Sequence, residues 1–342
     1  MNVFEINGRK VGEGFPVYVI AEIGSNHNGE YGIALEMIDR AKEAGCDAVK
    51  FQTFRAKDHY SVYTPLHSKY DKNIHELIEE LEIDRSWHAK LKKYCDGKGI
   101  DFFTSPCDRE SVDEMKALGC GVLKVASFDM TDVTLVEYMA KTGLGVILST
   151  GLAAMGDIEN AVNACRRAGN GNFALLQCTS LYPAPAHLSN LRAMDTMARA
   201  FGCVTGYSDH TMGDHIPVAA VAMGAKIIEK HFTLSRVMSG PDHPFAIEPD
   251  ELKAMVEKIR DVEQAFGDGM KNGARDEEKE NFGLRRSIIA ARDIAVGSVI
   301  TADDIVIKRP GYGILPQFRD IVTGRTAKRD IKADEWITWE MV

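Results

Sequence analysis

Eight short apolar runs rich in β-branched residues recur between Tyr18 and Phe232, and each is followed by a stretch whose apolar positions have helical spacing. The runs are YVIAEI, DAVKFQ, IDFFTS, VLKVAS, VILSTG, FALLQCTS, CVTGYS and AKIIEKHF. Helical spacing is clear in IALEMIDRAKEA, VDEMKALG and AVNACRRA, and a Gly-containing turn closes each of these stretches. Alternation of strands and helices predicts a parallel sheet.

The number of predicted strands favours a closed barrel over an open, doubly wound sheet. An open sheet usually has about five or six strands and a G-x-G-x-x-G turn after the first. This sequence has eight strand candidates and no such turn, so we predict a (β/α)₈ TIM barrel over residues 1–266. Before the first strand, the Asn-Gly pair in VFEINGRKVG predicts a hairpin that plugs the amino-terminal mouth of the barrel.

The pattern changes after the barrel. Residues 267–283 are rich in Gly and charge and predict a linker. Residues 284–342 show short strands and turns, which predict a small β-rich domain. A domain of this size has little core of its own, so we expect it to pack on a second copy of the chain in a homodimer.

Composition narrows the class of protein. The 342 residues carry a net charge of −9, which repels nucleic acid and anionic membranes, and no apolar run approaches the roughly 18 residues of a membrane span. The amino terminus lacks the apolar stretch of a secretory signal. Seven scattered cysteines without a C-x-x-C pair argue against a disulfide framework. We expect a cytoplasmic protein that binds neither nucleic acid nor a membrane.

Polar residues cluster where the predicted strands end, which is where barrel enzymes place their catalytic groups. His210 and His231 end the seventh and eighth strands, which are neighbours in a barrel. A lone histidine would more simply satisfy a backbone carbonyl, but two at matching heights favour a shared divalent metal. We expect Mn²⁺, with Mg²⁺ or Co²⁺ as alternatives, and regard His27 and His243 as weaker ligand candidates.

Two lysines, Lys50 and Lys124, each end an apolar strand, where a desolvated ammonium group requires an anion or a carboxylate. Short hydroxyl groups at the strand ends could donate hydrogen bonds to phosphate oxygens, namely those of Ser105, Ser127, Ser149 and Ser180. Together they predict an anion pocket. A Schiff-base barrel aldolase using Lys124 is the alternative from another class, although the histidine pair favours a metal-assisted route.

Two carboxylates have more than one possible role. Glu22, at the end of the first strand, could act as an acid or base on an attacking water, could pair with Lys50, or could do both. Asp242 lies on the Gly-Pro turn of SGPDH, where it could accept hydrogen bonds from sugar hydroxyls or serve only as a turn residue.

These segments resemble the sialic acid synthase family, whose members make N-acetylneuraminate, legionaminate or pseudaminate. The matching segments are AEIGSNHNG (21–29), KFQTF (50–54), LKVASF (123–128), ILSTG (147–151), LLQCTSLYPAP (175–185), GYSDHT (206–211), EKHFT (229–233), SGPDH (239–243) and KRPGYG (308–313). The resemblance implies a metal-dependent barrel, an SAF domain similar to type III antifreeze protein, and a domain-swapped dimer.

The resemblance also implies a reaction. The methylene carbon of phosphoenolpyruvate would attack the open-chain aldehyde of an N-acylated hexosamine, whose oxygen is polarised by the metal on His210 and His231. Water would then attack the oxocarbenium carbon with help from Glu22, and phosphate would leave by carbon–oxygen cleavage. The product would be a nine-carbon nonulosonic acid.

The resemblance further implies which residues bind each substrate. Phosphoenolpyruvate would be held by Lys50, Lys124, Ser105, Ser127, Ser149, Ser180 and Ser208. The sugar would face Gln52, Asp129, Tyr182 and Asp242. Arg309 of the terminal domain would reach the partner chain's site and contact the acyl group of the sugar.

The sequence departs from the family pattern beside the sugar. Ser127-Phe128-Asp129 stands where many neuraminate-forming members have Ser-Gly-Glu, and Ser180 stands where they have Asn. Phe128 would suit a deoxygenated, diacylated hexose, so the expected substrate is N-acetylmannosamine or a 6-deoxy diacetamido relative. Membership of the pseudaminic acid synthase branch is the alternative within the family.

Overall fold

The computed structural model describes residues 2–66, 73–271 and 276–342. The chain divides into two compact units, Met1–Phe266 and Gly267–Val342. Residues 272–275 of the predicted linker lie outside the described residues, and a 3₁₀ segment follows at Asp276–Leu284.

The strands of the described residues are β1 Val3–Ile6, β2 Arg9–Gly12, β3 Tyr18–Gly24, β4 Ala48–Thr53, β5 Asp101–Pro106, β6 Val122–Val125, β7 Gly145–Ser149, β8 Phe173–Cys178, β9 Val204–Asp209, β10 Ile227–His231, β11 Ser287–Ala290 and β12 Ile305–Lys308. Strands β3 to β10 form one parallel sheet in the order β5-β4-β3-β10-β9-β8-β7-β6. Its edge strands β5 and β6 lie side by side, so the sheet curls into a nearly closed barrel. All eight predicted strands are present, and the barrel prediction is confirmed.

The helices of the described residues are α1 Tyr31–Glu43, α2 Ala56–His59, α3 Ile74–Glu80, α4 His88–Lys98, α5 Arg109–Ala117, α6 Val133–Lys141, α7 Met155–Arg167, α8 Ala193–Phe201, α9 His215–Ala222, α10 Pro249–Ala265 and α11 Arg319–Val322. The glycine turns predicted after α1, α5 and α7 are confirmed. Gly45, Gly119 and Gly169 have φ values of +87°, +74° and +75°, which side chains with a Cβ rarely adopt.

Successive side chains of each barrel strand point to opposite faces, which gives the unit two separate apolar cores. On β3, Val19 and Ala21 point outward and pack in the core shared with the surrounding helices. Tyr18 and Ile20 point inward and join a second cluster near the amino-terminal ends of the strands. We call this second cluster the apolar layer; it consists of Phe4, Ile6, Val11, Tyr18, Ile20, Ala48, Phe103, Val122, Ile147, Ala174, Leu176, Val204 and Ile227.

The amino-terminal hairpin closes the lower end of the barrel, as predicted. Strands β1 and β2 are antiparallel, and pairing of Ile6 with Arg9 leaves Asn7 and Gly8 as a two-residue loop. Both loop residues have positive φ, +49° and +80°, the geometry of a type I′ turn. Phe4 of the hairpin is buried within the apolar layer. Burial of such a side chain stabilises the fold by about 1.5–3 kcal/mol.

The second unit contains the antiparallel pair β11–β12 and a small core of its own. Ile288, Ile305 and Ile337 are buried in that core. All seven cysteines of the chain are free thiols. No helix within the described ranges is both long and apolar enough to span a bilayer.

Candidate active site

At least one inward-facing side chain from each barrel strand lines a cavity of about 220 Å³ above the apolar layer. On β3, Glu22 follows the buried Ile20 by two residues, so the same face of the strand changes from apolar to charged. We call this set of eight side chains the polar ring. Its members are Glu22, Lys50, Ser105, Lys124, Ser149, Cys178, Ser208 and Glu229.

Lys50 is held between two carboxylates of the polar ring. Its Nζ lies 2.9 Å from Glu22 Oε2 and 3.8 Å from Glu229 Oε2, and it donates a hydrogen bond to Ser105 Oγ at 3.1 Å. Burial lowers the pKa of Lys50, but Glu22 and Glu229 outweigh that effect and raise it above its ordinary value. The predicted pairing of Glu22 with Lys50 is therefore present.

Lys124 has no carboxylate partner within 4 Å in the parts of the chain that the structure describes. Its Nζ donates hydrogen bonds to Ser149 Oγ at 2.7 Å and to the Val125 carbonyl oxygen at 2.8 Å. Burial lowers the pKa of Lys124, and the more distant Glu229 opposes this only in part. An anion in the cavity would supply the missing charge partner.

The predicted hydroxyl groups surround this lysine pair, with one exception. Ser105, Ser127, Ser149 and Ser208 all line the cavity. Ser180 is not among the lining residues; it lies behind Gly151, where an added Cβ would come within 2.2 Å of Ser180 Oγ and 2.8 Å of Ser127 Oγ. Its buried hydroxyl makes no hydrogen bond within the described residues.

The two predicted metal ligands, His210 and His231, lie together at the cavity wall, with ring centroids 5.2 Å apart. His210 Nδ1 lies 2.8 Å from the Thr179 carbonyl oxygen, and His231 Nδ1 lies 3.3 Å from Asp242 Oδ2. The Thr179 carbonyl oxygen holds a proton on His210 Nδ1 and leaves the Nε2 lone pair for a ligand, and the Asp242 carboxylate faces the corresponding nitrogen of His231. The pair therefore fits a divalent cation.

The residues predicted to face the sugar also line this cavity, apart from Arg309. They are Gln52, Asp129, Tyr182 and Asp242. Gln52 donates a hydrogen bond to Glu22 Oε1 at 2.8 Å, and the Tyr182 ring lies 4.2 Å from that of His210. Arg309 belongs to the second unit, where its Nε donates to the Leu284 carbonyl oxygen at 2.6 Å.

Sequence reasoning assigned no role to five polar residues of the cavity wall. They are His59, Tyr60, Cys107, Cys178 and Glu229. A signal existed for Glu229, because it precedes His231 by two residues on one strand and so shares its face. The weaker metal candidates do not line the cavity: His27 packs against Phe51 and Trp87, and His243 contacts Thr233.

Comparison with known proteins identifies the family of this chain. The NeuB family matches residues 37–271, and the SAF domain matches residues 285–342. The chain belongs to the NeuB family. The resemblance to sialic acid synthases is thereby confirmed, as is the barrel with a carboxyl-terminal SAF domain.

Similar members of the NeuB family cover nearly the whole chain. An uncharacterised protein of Methanocaldococcus jannaschii is 41% identical over 340 residues, which is 99% of this chain and 98% of that protein. The N,N'-diacetyllegionaminic acid synthase of Campylobacter jejuni is 39% identical over 327 residues, 93% of this chain and 98% of its own. The crystal structure of N-acetylneuraminic acid synthetase from Leptospira borgpetersenii is 34% identical, with a TM-score of 0.73, over 83% of this chain and 97% of that one.

Proposed function

We propose that this chain condenses phosphoenolpyruvate with an N-acylated hexosamine to give a nine-carbon nonulosonic acid and phosphate. The observation that supports this most strongly is the position of Lys124, a buried cation without a carboxylate partner among the described residues, in the same cavity as His210 and His231. Membership of the NeuB family supports the same reaction class.

Phosphoenolpyruvate carries a phosphate and a carboxylate, and the polar ring offers complementary donors. Lys124 would pair with one anionic group, while Lys50, already paired with Glu22, would contribute its remaining donor. The serine hydroxyl groups that line the cavity would donate to the other anionic oxygens; these are Ser105, Ser127, Ser149 and Ser208. Ser180, also expected to bind phosphoenolpyruvate, lies behind Gly151 and would support the pocket from there. Because the site is buried, each of these contacts is stronger than it would be in water.

The sugar would bind in the same cavity. His210 and His231 would hold a divalent cation, expected to be Mn²⁺ with Mg²⁺ or Co²⁺ as alternatives, which when bound polarises the aldehyde oxygen. Sugar hydroxyl groups would be bound by Gln52, Asp129, Tyr182 and Asp242.

Glu22 is placed to handle a proton of the attacking water. Burial raises the pKa of Glu22, although Lys50 opposes that shift, so this carboxyl group accepts a proton more readily than an exposed glutamate. It would orient the water that attacks the carbon bearing the phosphate oxygen, and phosphate would leave with that oxygen.

We propose a hexosamine of the legionaminate branch, a 6-deoxy diacetamido sugar, with N-acetylmannosamine as the next choice. Similarity to the Campylobacter jejuni N,N'-diacetyllegionaminic acid synthase supports this branch. Phe128 lines the cavity and keeps 57% of its surface exposed, which supplies apolar area for a deoxygenated carbon. The stereoisomeric sugar of the pseudaminate branch would meet the same surface and is the alternative.

We further propose a domain-swapped homodimer in the cytoplasm, in which Arg309 of one chain contacts the acyl group in the other chain's site. The small core of the second unit and the exposed Trp336 and Trp339 support a partner surface. Seven free cysteines support a reducing compartment.

The experiment measures phosphate release from phosphoenolpyruvate with each 2-acetamido sugar, with and without Mn²⁺ after chelation. Phosphoenolpyruvate labelled with ¹⁸O at the bridging oxygen reports the bond that breaks. We expect sugar-dependent release and label in the phosphate. Label in the sugar acid, or release that does not depend on sugar, would contradict the proposal.

The second candidate is a Schiff-base aldolase, favoured by the lowered pKa of the buried Lys124 amine. Such an enzyme would lose activity on borohydride treatment with substrate present and would keep activity after chelation. The proposed synthase would show the opposite pattern in both tests.

A further inference from the structure

Three side chains with different ligand atoms, none of them from the histidine pair, meet at the cavity wall. His59 ends α2, Cys107 directly follows β5, and Asp129 follows β6. His59 Nε2 lies 3.6 Å from Asp129 Oδ1, and Cys107 Sγ lies 3.6 Å from Asp129 Oδ2. One ligand atom from each residue lies within 4.8 Å of the other two. We call these residues the His-Cys-Asp cluster.

The spacing in the cluster suits an ion between the three groups. At 3.6 Å, His59 and Asp129 are too far apart for a normal nitrogen–oxygen hydrogen bond. Zinc bonds of about 2.0–2.1 Å to nitrogen and oxygen and about 2.3 Å to sulfur, in a tetrahedron, separate ligand atoms by about 3.3–3.6 Å. The separations of Asp129 from His59 and from Cys107, both 3.6 Å, are close to these values. They involve different oxygens of the Asp129 carboxylate, so binding of the ion through one oxygen requires a rotation of that group.

The chemistry of the ligand atoms selects among metals. One imidazole nitrogen, one sulfur and one carboxylate oxygen form a set that suits Zn²⁺, because the thiolate of Cys107 favours a softer cation than Mg²⁺ or Mn²⁺. The three residues also line the cavity, so an ion could enter from it. The side chains of His59 and Asp129 keep 20% and 13% of their surface exposed, which leaves room for a fourth, exchangeable ligand.

We propose that His59, Cys107 and Asp129 form a second metal site, selective for Zn²⁺ and separate from His210 and His231. Asp129 is also among the residues proposed to bind the sugar, so Zn²⁺ at this site would compete with the sugar. This consequence for activity rests on the proposed function, whereas metal binding by the cluster does not.

Binding at this site releases a proton. Burial and the nearby Asp129 carboxylate raise the pKa of the Cys107 thiol, so the free thiol stays protonated at neutral pH. Zn²⁺ would bind the thiolate and displace that proton, so its apparent affinity increases with pH.

The test uses the full chain without phosphoenolpyruvate or sugar, so its failure would leave the proposed function untouched. Co²⁺ serves as the probe, because a cobalt–thiolate bond gives a charge-transfer absorption band. We expect the band in the unmodified chain and in Cys178→Ser, which removes the other cysteine of the cavity wall, and its loss in Cys107→Ser. A band that survives Cys107→Ser would overturn the proposal.

Zn²⁺ affinity, measured by competition with a chromophoric chelator, provides a second readout with a milder variant. His59→Gln should weaken the cluster's Zn²⁺ binding at least tenfold, since loss of even a hydrogen-bond partner of a ligand costs about 10–100-fold. Zn²⁺ should also inhibit the unmodified enzyme competitively with the sugar and at least tenfold more strongly than it inhibits His59→Gln. Equal affinity and equal inhibition in the two proteins would count against the site.

Discussion

The lower and upper ends of the barrel interior use the same strands, at positions only two residues apart, and have opposite chemistry. At the lower end, Ile20 and Ile147 pack with the hairpin residue Phe4 and exclude water. At the upper end, Glu22 and Lys124 line an open cavity. The comparison indicates that stability and chemistry are separated along each strand, so each can be changed while the other is monitored.

The largest expected effect is on catalysis. Lys124→Met should lower kcat/KM by about 10³-fold, or ~4 kcal/mol, because the anionic substrate loses its unpaired cation. The variant should still fold, because the buried Glu229 carboxylate keeps a cation nearby: Lys50 Nζ lies 3.8 Å from it. Phosphate release measures the first effect and thermal unfolding the second. Activity within tenfold of the unmodified enzyme would remove Lys124 from the mechanism.

The matched change at the lower end should do the reverse. Ile147 pairs with Lys124 across neighbouring strands and is fully buried in the apolar layer. Ile147→Ala should lower the free energy of unfolding by about 2–5 kcal/mol, because it leaves a cavity. Measured well below the unfolding temperature, kcat/KM should stay within a few-fold. A large loss of activity in folded protein would show that the two ends are coupled.

A third prediction concerns the pH dependence of stability and the buried His27, which lies outside the polar ring. Burial lowers the pKa of His27 from 6.5 to about 4. Because this pKa is lower in the folded protein than in the unfolded chain, protonation of His27 favours unfolding. The free energy of unfolding is therefore highest above pH 6.5 and decreases as pH falls from 6.5 towards 4. Between pH 7 and pH 5, the free energy of unfolding of His27→Asn should decrease by about 2 kcal/mol less than that of the unmodified protein. Denaturant unfolding at the two pH values measures both decreases.

The matched control for that measurement is the exposed His187. His187→Asn removes an imidazole that is not buried as His27 is, and it should keep the pH dependence of the unmodified protein. If both variants lose stability as steeply as the unmodified chain, His27 is not the titrating group.

The smallest effect is expected in the turn of the hairpin. Asn7 adopts a φ of +49°, which Asn tolerates better than Ala, and donates a hydrogen bond to Asp101 Oδ1 at 3.2 Å. Asn7→Ala should cost about 1 kcal/mol of unfolding free energy by urea titration. Lys10→Ala, at an exposed site of the same hairpin, should change it by no more than about 0.5 kcal/mol.

Much of the fold was predictable because its signals are local. The eight apolar runs give the strands, and Asn7-Gly8 gives the hairpin, since a two-residue type I′ turn requires positive φ at both positions. Lys50, Lys124, His210 and His231 were predictable as cavity residues, because parallel strands in a barrel place their carboxyl ends at one face.

The remaining cavity residues depend on contacts that spacing along the chain does not encode. His59 and Cys107 come from connecting segments after β4 and β5, and only tertiary folding brings them to Asp129. Ser105, Ser149 and Ser208 lie within strands, whereas Ser180 comes two residues after the end of β8 and lies behind Gly151. The role proposed for Arg309 involves a second chain, which no pattern within one sequence can position.

The alternation that builds the polar ring constrains how this enzyme can change. Insertion or deletion of a single residue within β6 would turn Lys124 towards the helices and bring the apolar Leu123 or Val125 into the cavity. Lineages that acquire new sugar preferences would therefore have to do so by point replacement on the strands or by remodelling of the loops above them. Insertions and deletions among such descendants should therefore occur in the loops and be rare within the barrel strands.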